Sequence, residues 1–131
     1  AAAGNGADRR QGDFGFVGAP ANSPFIMAVG ALDQHLEMAF FSARTLPIRG
    51  GQLDVAGPGF QVRSSWLMPD RYNTISGTSM ATPHAAGVAA LWAQASGYRG
   101  RELWSLMAQE SQRLLQASVD VGSGLVMAPQ E

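Results

Sequence analysis

A long stretch without formal charge, Ser79–Ala95, constrains the fold of this 131-residue chain more than any other feature. Its larger side chains recur at helical spacing, and the opposite face is also small, being formed by Ala81, Ala85 and Ala89. A helix that is apolar on all sides is buried in a protein core or in a membrane. The strongly apolar part, Ala85–Ala95, is too short to cross a bilayer, which takes about 20 residues. The sequence therefore predicts a buried central helix with Pro83 in its first turn, where a missing N–H costs least.

The rest of the chain alternates predicted strands and helices, separated by short loops rich in Gly and Pro. After a long loop over residues 7–24, the apolar run Phe25–Ala31 is typical of a strand buried on both faces. Leu53–Ala56 predicts a short strand, and Phe60–Trp66 predicts a half-buried one. A second, amphipathic helix is expected from Arg101 to Leu115. This order favours an α/β fold with a parallel sheet.

Composition excludes several classes of protein. The formal charge of −1 argues against a nucleic-acid-binding protein, which normally carries a basic patch. The absence of cysteine excludes a disulfide scaffold, a thiolate zinc site and a Cys nucleophile. Apolar residues make up 46% and charged residues 15%, which argues against disorder, and the length alone suits one domain.

The first residues look like the end of a strand. Ala1–Ala3 run straight into Gly4-Asn5-Gly6, as when a buried strand is followed by a tight turn. Either the alanines are a dispensable lead, or the chain was cut out of something longer, and the second is the expectation here.

The stretch from Ser76 to Gly87, SGTSMATPHAAG, carries the most specific chemistry. Ser79 is predicted at the start of a buried helix, beside unpaired backbone N–H groups and the positive end of the helix dipole. These features suit a nucleophile whose attack creates an oxyanion, but a Ser at this position can also simply cap the helix. Asn5, in its Gly-flanked turn, can be a turn former or can point an amide into a cleft.

Several segments together resemble one enzyme family. Gly77–His84 resembles the nucleophile motif of the subtilisin-like serine proteases, the subtilases, and Ala2–Asn5 resembles their oxyanion-hole segment. Three further segments resemble family segments in the same order: Pro24–Ala31, Leu53–Gly59 and Gly122–Val126.

The resemblance implies a three-layer subtilisin-like α/β fold with a mostly parallel sheet and a buried central helix. It implies a serine endopeptidase in which Ser79 is the acylated nucleophile. The backbone N–H of Ser79 and the side chain of Asn5 would be the oxyanion donors. Ala3 and Gly4 would form one wall of the substrate side-chain pocket, and Gly18 its floor, leaving room for a large side chain.

The resemblance also assigns lesser roles to other residues. His84 lies five residues after Ser79, so the two side chains would point roughly 140° apart on a helix, and it resembles the family's non-catalytic His. A structural, hydrogen-bonded role is therefore expected for His84, and His35 is expected to be solvated. Ala19-Pro20 falls where many subtilases have a cis bond. No cofactor is required and no metal site is predicted, although calcium is possible by family analogy, with Asp8 and Asp13 as possible ligands.

One part of the family pattern is missing. A subtilase triad runs Asp, His, Ser along the chain, and neither the Asp motif nor the His motif is found. Asp54 is the only Asp in an apolar strand context, and the resemblance makes it structural. Residues 1–131 are thus expected to be the C-terminal part of a subtilase catalytic domain, inactive without the N-terminal part that carries Asp and His. The expected partners are that N-terminal part and a polypeptide substrate, and neither nucleic acid nor a membrane is expected as a partner. By family analogy the protein is expected to be secreted or to reside in the cell envelope.

Two other interpretations stay open. The chain can be a non-catalytic subtilase-like module that binds peptides or a partner protein. It can also be an α/β-hydrolase, because Gly77-x-Ser79-x-Ala81 approximates that family's nucleophile motif. That motif needs a strand directly before the Ser and a later His, whereas residues 70–76 are polar and irregular.

Overall fold

The structure is a computed structural model and describes residues 1–130. Its helices are α1 (Thr78–Ser96), α2 (Gly100–Glu110) and α3 (Ser118–Val121). Its strands are β1 (Val29–Leu32), β2 (Val55–Pro58), β3 (Val62–Ser65) and β4 (Tyr72–Ile75). Short 3₁₀ turns are formed by Arg9–Gln11 and Pro47–Arg49.

A parallel sheet forms the middle layer. β1 pairs with β2 in parallel, with Val29 opposite Val55. The sheet is extended by parallel bridges from Ala2 to Val29 on one side and from Leu125 to Ala56 on the other. All four residues of β1 are buried, as a strand covered on both faces requires. The α/β class and the mostly parallel sheet expected from the sequence are confirmed.

Successive residues of the sheet contribute to two separate cores. One lies between the sheet and the helices α1 and α2, and it includes Val29, Ala31 and Val55. The other lies on the opposite face and includes Ala28, Leu32, Leu53 and Ala56, together with Val17 and Ala21 from the first loop and Val121 from α3. This alternation follows from the two-residue period of a strand. The fold therefore has three layers, as expected.

Only one face of α1 is buried among the described residues. Thr78, Ala81 and Ala85 face the sheet. On the other side Ala86, Gly87, Ala90 and Leu91 are exposed, Leu91 by 48%. The helix has a central position, because it contacts β1, β2 and α2. The expectation that it is buried on all sides is met for one face only, because no described element packs against the other.

Two boundaries and one burial prediction were wrong. The strand expected from Phe25 begins only at Val29, because Ser23 holds Phe25 and Ile26 in a turn. The Ser23 carbonyl accepts a hydrogen bond from the Ile26 N–H, and the Ser23 hydroxyl accepts one from the Phe25 N–H. The helix expected to reach Leu115 ends at Glu110, because Gln112 leaves it to exchange two backbone hydrogen bonds with Leu125.

The third difference concerns the segment after β2. β3 pairs antiparallel with β4 in a hairpin whose residues are mostly exposed, so the predicted half-buried strand lies at the surface. The partner β4 was not predicted, because it lies in a largely polar segment, residues 70–76, that shows no apolar periodicity.

A close backbone approach joins the end of the sheet to the start of α1. Gly59, just after β2, accepts a hydrogen bond from the Gly77 N–H at 2.8 Å. A Cβ atom on Gly59 would lie 2.8 Å from the Gly77 carbonyl oxygen, so only glycine allows this contact. The first turn of α1 is thereby held at the carboxyl end of the strands, the edge where open α/β sheets bind ligands.

Candidate active site

Ser79 lies in the first turn of α1 with its side chain exposed. Its backbone N–H is one of the first-turn groups that have no acceptor within the helix, and it lies at the positive end of the helix dipole. Among residues 1–130, the Ser79 hydroxyl makes no hydrogen bond. Gly77 is the N-cap residue, so the alternative in which Ser79 merely caps the helix is not what the structure shows.

Asn5 reaches this helix from the edge of the sheet. Its side-chain oxygen accepts hydrogen bonds from the Thr78 N–H at 2.9 Å and from the Thr78 hydroxyl at 2.8 Å. Because a backbone N–H can only donate, the oxygen of the Asn5 amide must face Thr78, and this fixes which way round the amide lies. The Asn5 nitrogen lies 3.4 Å from the position that a Cβ on Gly77 would occupy. The two N–H bonds of Asn5 are therefore held at the beginning of the Ser79 helix.

Thr78 is a site residue that the sequence reasoning missed. It is fully buried, and its hydroxyl accepts a hydrogen bond from the Gly4 N–H at 3.2 Å while donating to Asn5. A single side chain thus joins the turn that carries Asn5 to the helix that carries Ser79. The available signal was a second hydroxyl residue directly before Ser79 at the predicted helix start.

The residues predicted to line a substrate pocket lie side by side, next to Asn5. The carbonyl of Ala3 accepts a hydrogen bond from the Gly18 N–H at 2.9 Å, and that of Gly4 accepts one from the Ala43 N–H at 3.1 Å. A Cβ on Gly18 would meet no atom within 4 Å, so Gly18 borders open space. Ala3 is fully buried, so it supports this wall from behind.

Three other predicted placements agree with the structure. His84 Nδ1 lies 2.8 Å from the carbonyl oxygen of Met80, so its hydrogen bond is internal to α1 and it does not contact Ser79. The Ala19-Pro20 peptide bond is cis. Asp54 accepts the Ala28 N–H at 2.7 Å, and burial raises its pKa despite that bond. Asp54, directly before β2, thus joins that strand to the residue before β1. This is the structural role that was expected for Asp54.

The two carboxylates considered for calcium already have partners. Asp8 pairs with Arg10 at 2.9 Å, and Asp13 accepts the Gly15 N–H at 3.0 Å. Among residues 1–130, no three His, Cys, Asp or Glu side chains lie close enough together to hold a metal ion. None of the helices in the described part of the chain is both long enough and apolar enough to span a membrane.

The arrangement places an exposed hydroxyl, a backbone N–H without a helical acceptor and an oriented amide at the start of one helix. A backbone N–H at a helix N-terminus and an oriented amide beside it can donate hydrogen bonds to a negatively charged oxygen, and the exposed hydroxyl between them can act as a nucleophile. Acyl transfer also needs a group that removes the hydroxyl proton. No His or carboxylate among residues 1–130 hydrogen-bonds to Ser79.

Comparisons with known proteins point to one family. The profile of the Subtilase family matches residues 1–125. Subtilisin E of Bacillus subtilis (strain 168) is 44% identical over 91 residues, which cover 70% of this chain and 22% of that protein. A subtilisin of Bacillus pumilus shows the same identity, the match covering 70% of this chain and 30% of that protein. A cuticle-degrading serine protease of Arthrobotrys oligospora is 46% identical over 78 residues, which cover 59% of this chain and 18% of that protein. The chain therefore spans less than a third of the length of the curated relatives it matches.

Proposed function

Because the chain belongs to the subtilase family, we propose that residues 1–131 are the C-terminal part of a serine endopeptidase domain that hydrolyses peptide bonds through an acyl-enzyme on Ser79. The observation that carries this proposal is the orientation of Asn5. Its amide oxygen is held by Thr78, so its N–H bonds lie at the start of the Ser79 helix. A module that only bound peptides would not need an amide fixed in this way.

In the proposed mechanism, Ser79 attacks the scissile carbonyl carbon while a histidine takes the proton from its Oγ. An aspartate orients that histidine, and both residues come from a preceding part of the domain. The oxygen of the tetrahedral intermediate accepts hydrogen bonds from the Ser79 N–H and the Asn5 amide. The histidine then protonates the leaving amine, and water hydrolyses the ester on Ser79.

The substrate is a polypeptide whose side chain before the scissile bond enters the space beside Ala3, Gly4 and Gly18. The open space at Gly18 admits a large side chain. Secretion, or residence in the cell envelope, follows from family analogy, as does any calcium requirement.

The exposed face of α1 supports the proposal of a preceding part. Ala86, Gly87, Ala90 and Leu91 form an apolar strip on a helix whose other face is in the core. Burial of such a strip stabilises a fold by roughly 25 cal/mol for each Å² removed from water. The part that carries the aspartate and histidine would cover this strip. Below, the two parts together are called the full-length protein.

Labelling with a fluorophosphonate tests the proposal. The full-length protein should be labelled at Ser79 and should hydrolyse peptides. Residues 1–131 alone should do neither, because without a base the hydroxyl stays protonated and weakly nucleophilic.

Two outcomes contradict the proposal. A full-length protein that folds but resists the probe favours the non-catalytic peptide-binding module. Turnover by purified residues 1–131 shows that the base lies within this chain.

Replacing Thr78 by valine should lower kcat about fivefold and leave KM nearly unchanged. Valine keeps the shape of the side chain but removes the hydroxyl that holds the Asn5 amide, and one hydrogen bond contributes about 1 kcal/mol. Steady-state kinetics of the full-length protein measure the effect. Thr78→Ser keeps the hydroxyl and is the matched control. Equal kcat values for the valine variant and the wild type would leave Thr78 with a packing role only.

A further inference from the structure

Asp120 lies at the centre of a largely buried ion-pair cluster that contains two arginines. Its Oδ1 accepts a hydrogen bond from Arg9 Nη1 at 2.6 Å, and its Oδ2 accepts one from Arg44 Nη2 at 2.7 Å. A further bond, 3.1 Å long, joins Arg44 Nε to Oδ1. The side chains of Asp120, Arg9 and Arg44 are only 12%, 13% and 28% exposed. Both oxygens of one carboxylate are thus occupied by two arginines from different segments.

An aromatic ring and a backbone carbonyl also contact the arginines of the cluster. The Phe14 ring lies 4.1 Å from the Arg44 guanidinium and 5.5 Å from that of Arg9. Arg9 Nε donates to the Ser42 carbonyl at 2.8 Å. Each arginine is therefore held by more than its charge, which fixes its direction as well as its position.

The charge state of Asp120 is consistent with this arrangement. Burial raises its pKa, but the hydrogen bonds and charges of Arg44 and Arg9 outweigh burial and leave the pKa below its ordinary value. The ion pairs therefore stabilise the fold above the unfolded-state pKa, and this stabilisation is lost as the pH falls through the folded-state pKa.

The two arginines hold the loop that ends in the proposed pocket wall. This loop, residues 6–17, begins directly after Asn5 and ends directly before Gly18. The Arg9 N–H donates to the Phe40 carbonyl at 2.9 Å, and the Arg44 N–H donates to the Phe14 carbonyl at 3.1 Å. Ala43, next to Arg44, donates to the Gly4 carbonyl. Movement of Arg9 would therefore move the loop that leads to Gly18. Movement of Arg44 would move its neighbour Ala43, which is bonded to Gly4, and Phe14 of the same loop.

We propose that Asp120 is a positioning residue for substrate selection, holding the pocket wall at Gly4 and Gly18 in place through Arg9 and Arg44. This inference rests on the proposed function for the identity of the pocket. The Asn5 amide is bonded to Thr78 and to neither arginine, so the cluster acts first on the pocket wall and only secondarily on the oxyanion donors. Loss of the cluster should therefore reduce discrimination between substrates more than it reduces the reactivity of Ser79.

The experiment compares variants of the full-length protein with a matched control. Asp120→Asn removes the central charge. Because two buried guanidinium groups are then left unpaired and this variant can fail to fold, Arg44→Met is made as well, since it keeps the balanced Arg9–Asp120 pair. Arg10→Met is the control, because Arg10 is an arginine of the same loop that also pairs with an Asp, but on the surface.

Two readouts are expected to change together. The ratio of kcat/KM for a large over a small residue before the scissile bond should fall about tenfold in the Asp120 and Arg44 variants, mainly through KM. Hydrogen exchange of the Gly18 and Ala43 amides, which bond to Ala3 and Gly4, should accelerate at least tenfold. The rate of labelling of Ser79 by a small fluorophosphonate should stay within about twofold of wild type.

The outcomes separate this inference from the proposed function. If both folded variants match Arg10→Met in selectivity and amide exchange, Asp120 is only a structural cross-link and the inference is wrong. If the wild type is not labelled, the proposed function is wrong, and amide exchange at Gly18 and Ala43 still decides whether Asp120 holds this wall.

Discussion

Replacing Ser79 by alanine should abolish fluorophosphonate labelling of the full-length protein and reduce kcat by about 10⁶, a magnitude carried over from subtilisin. In the proposed mechanism the Oγ of Ser79 is the atom that bonds to the substrate, so no neighbouring group could substitute for it. The measurements are mass spectrometry of the labelled peptide and hydrolysis of a chromogenic peptide.

The stability of this variant separates a nucleophile from a helix cap. A capping serine would cost about 1 kcal/mol on replacement by alanine. Among residues 1–130 the Ser79 hydroxyl has no hydrogen-bond partner, so the midpoint of denaturant unfolding should not fall measurably. Ser105→Ala, on the exposed side of α2, is the control and should retain full labelling and full activity. Retained labelling in Ser79→Ala would place the nucleophile elsewhere.

The second large effect is expected for Asn5. Replacing it by alanine should lower kcat by about 10²–10³ with little change in KM, again a magnitude carried over from the equivalent amide of subtilisin. In the proposed mechanism the amide donates to an oxygen whose negative charge develops only on the way to the tetrahedral intermediate, so its loss affects kcat and not KM. Labelling by a fluorophosphonate should still occur, but more slowly. Active-site-titrated kinetics measure the loss.

Two further variants show how Asn5 acts. Asn73→Ala removes an exposed amide in β4 and should leave kcat unchanged. In the double variant Asn5→Ala, Thr78→Val, the second substitution should have almost no additional effect, because Thr78 acts through Asn5. Additive losses would mean that Thr78 works independently. A kcat within threefold of wild type in Asn5→Ala would remove this amide from the mechanism.

The sequence predicted those parts of the fold that depend on periodicity. The apolar run before Leu32 predicted a strand covered on both faces, and the charge-free segment after Gly77 predicted the central helix. Hydrogen bonds between distant residues were not predictable in this way. The pairing of Gln112 with Leu125 ends α2 early, although the apolar stripe of that helix continues to Leu114.

The candidate site was predictable in its types of residue but not in its connections. Family resemblance pointed to Ser79 and Asn5, and their roles stay predictions. The link through Thr78 was missed, because a hydroxyl between Gly77 and Ser79 has no pattern of its own. Asp120 was missed for a stronger reason: it is separated from Arg9 by 111 residues and from Arg44 by 76. Neither composition nor local spacing carries information about such pairs.

The bond between Asn5 and Thr78 has a consequence for the order of folding. These residues are 73 positions apart, so their contact closes a long loop and forms late relative to the local turns and helices. A partly folded chain would then hold the Ser79 hydroxyl and the Asn5 amide apart. Such a chain could not cleave its neighbours during synthesis, and proteolytic activity would arise only after the domain had closed.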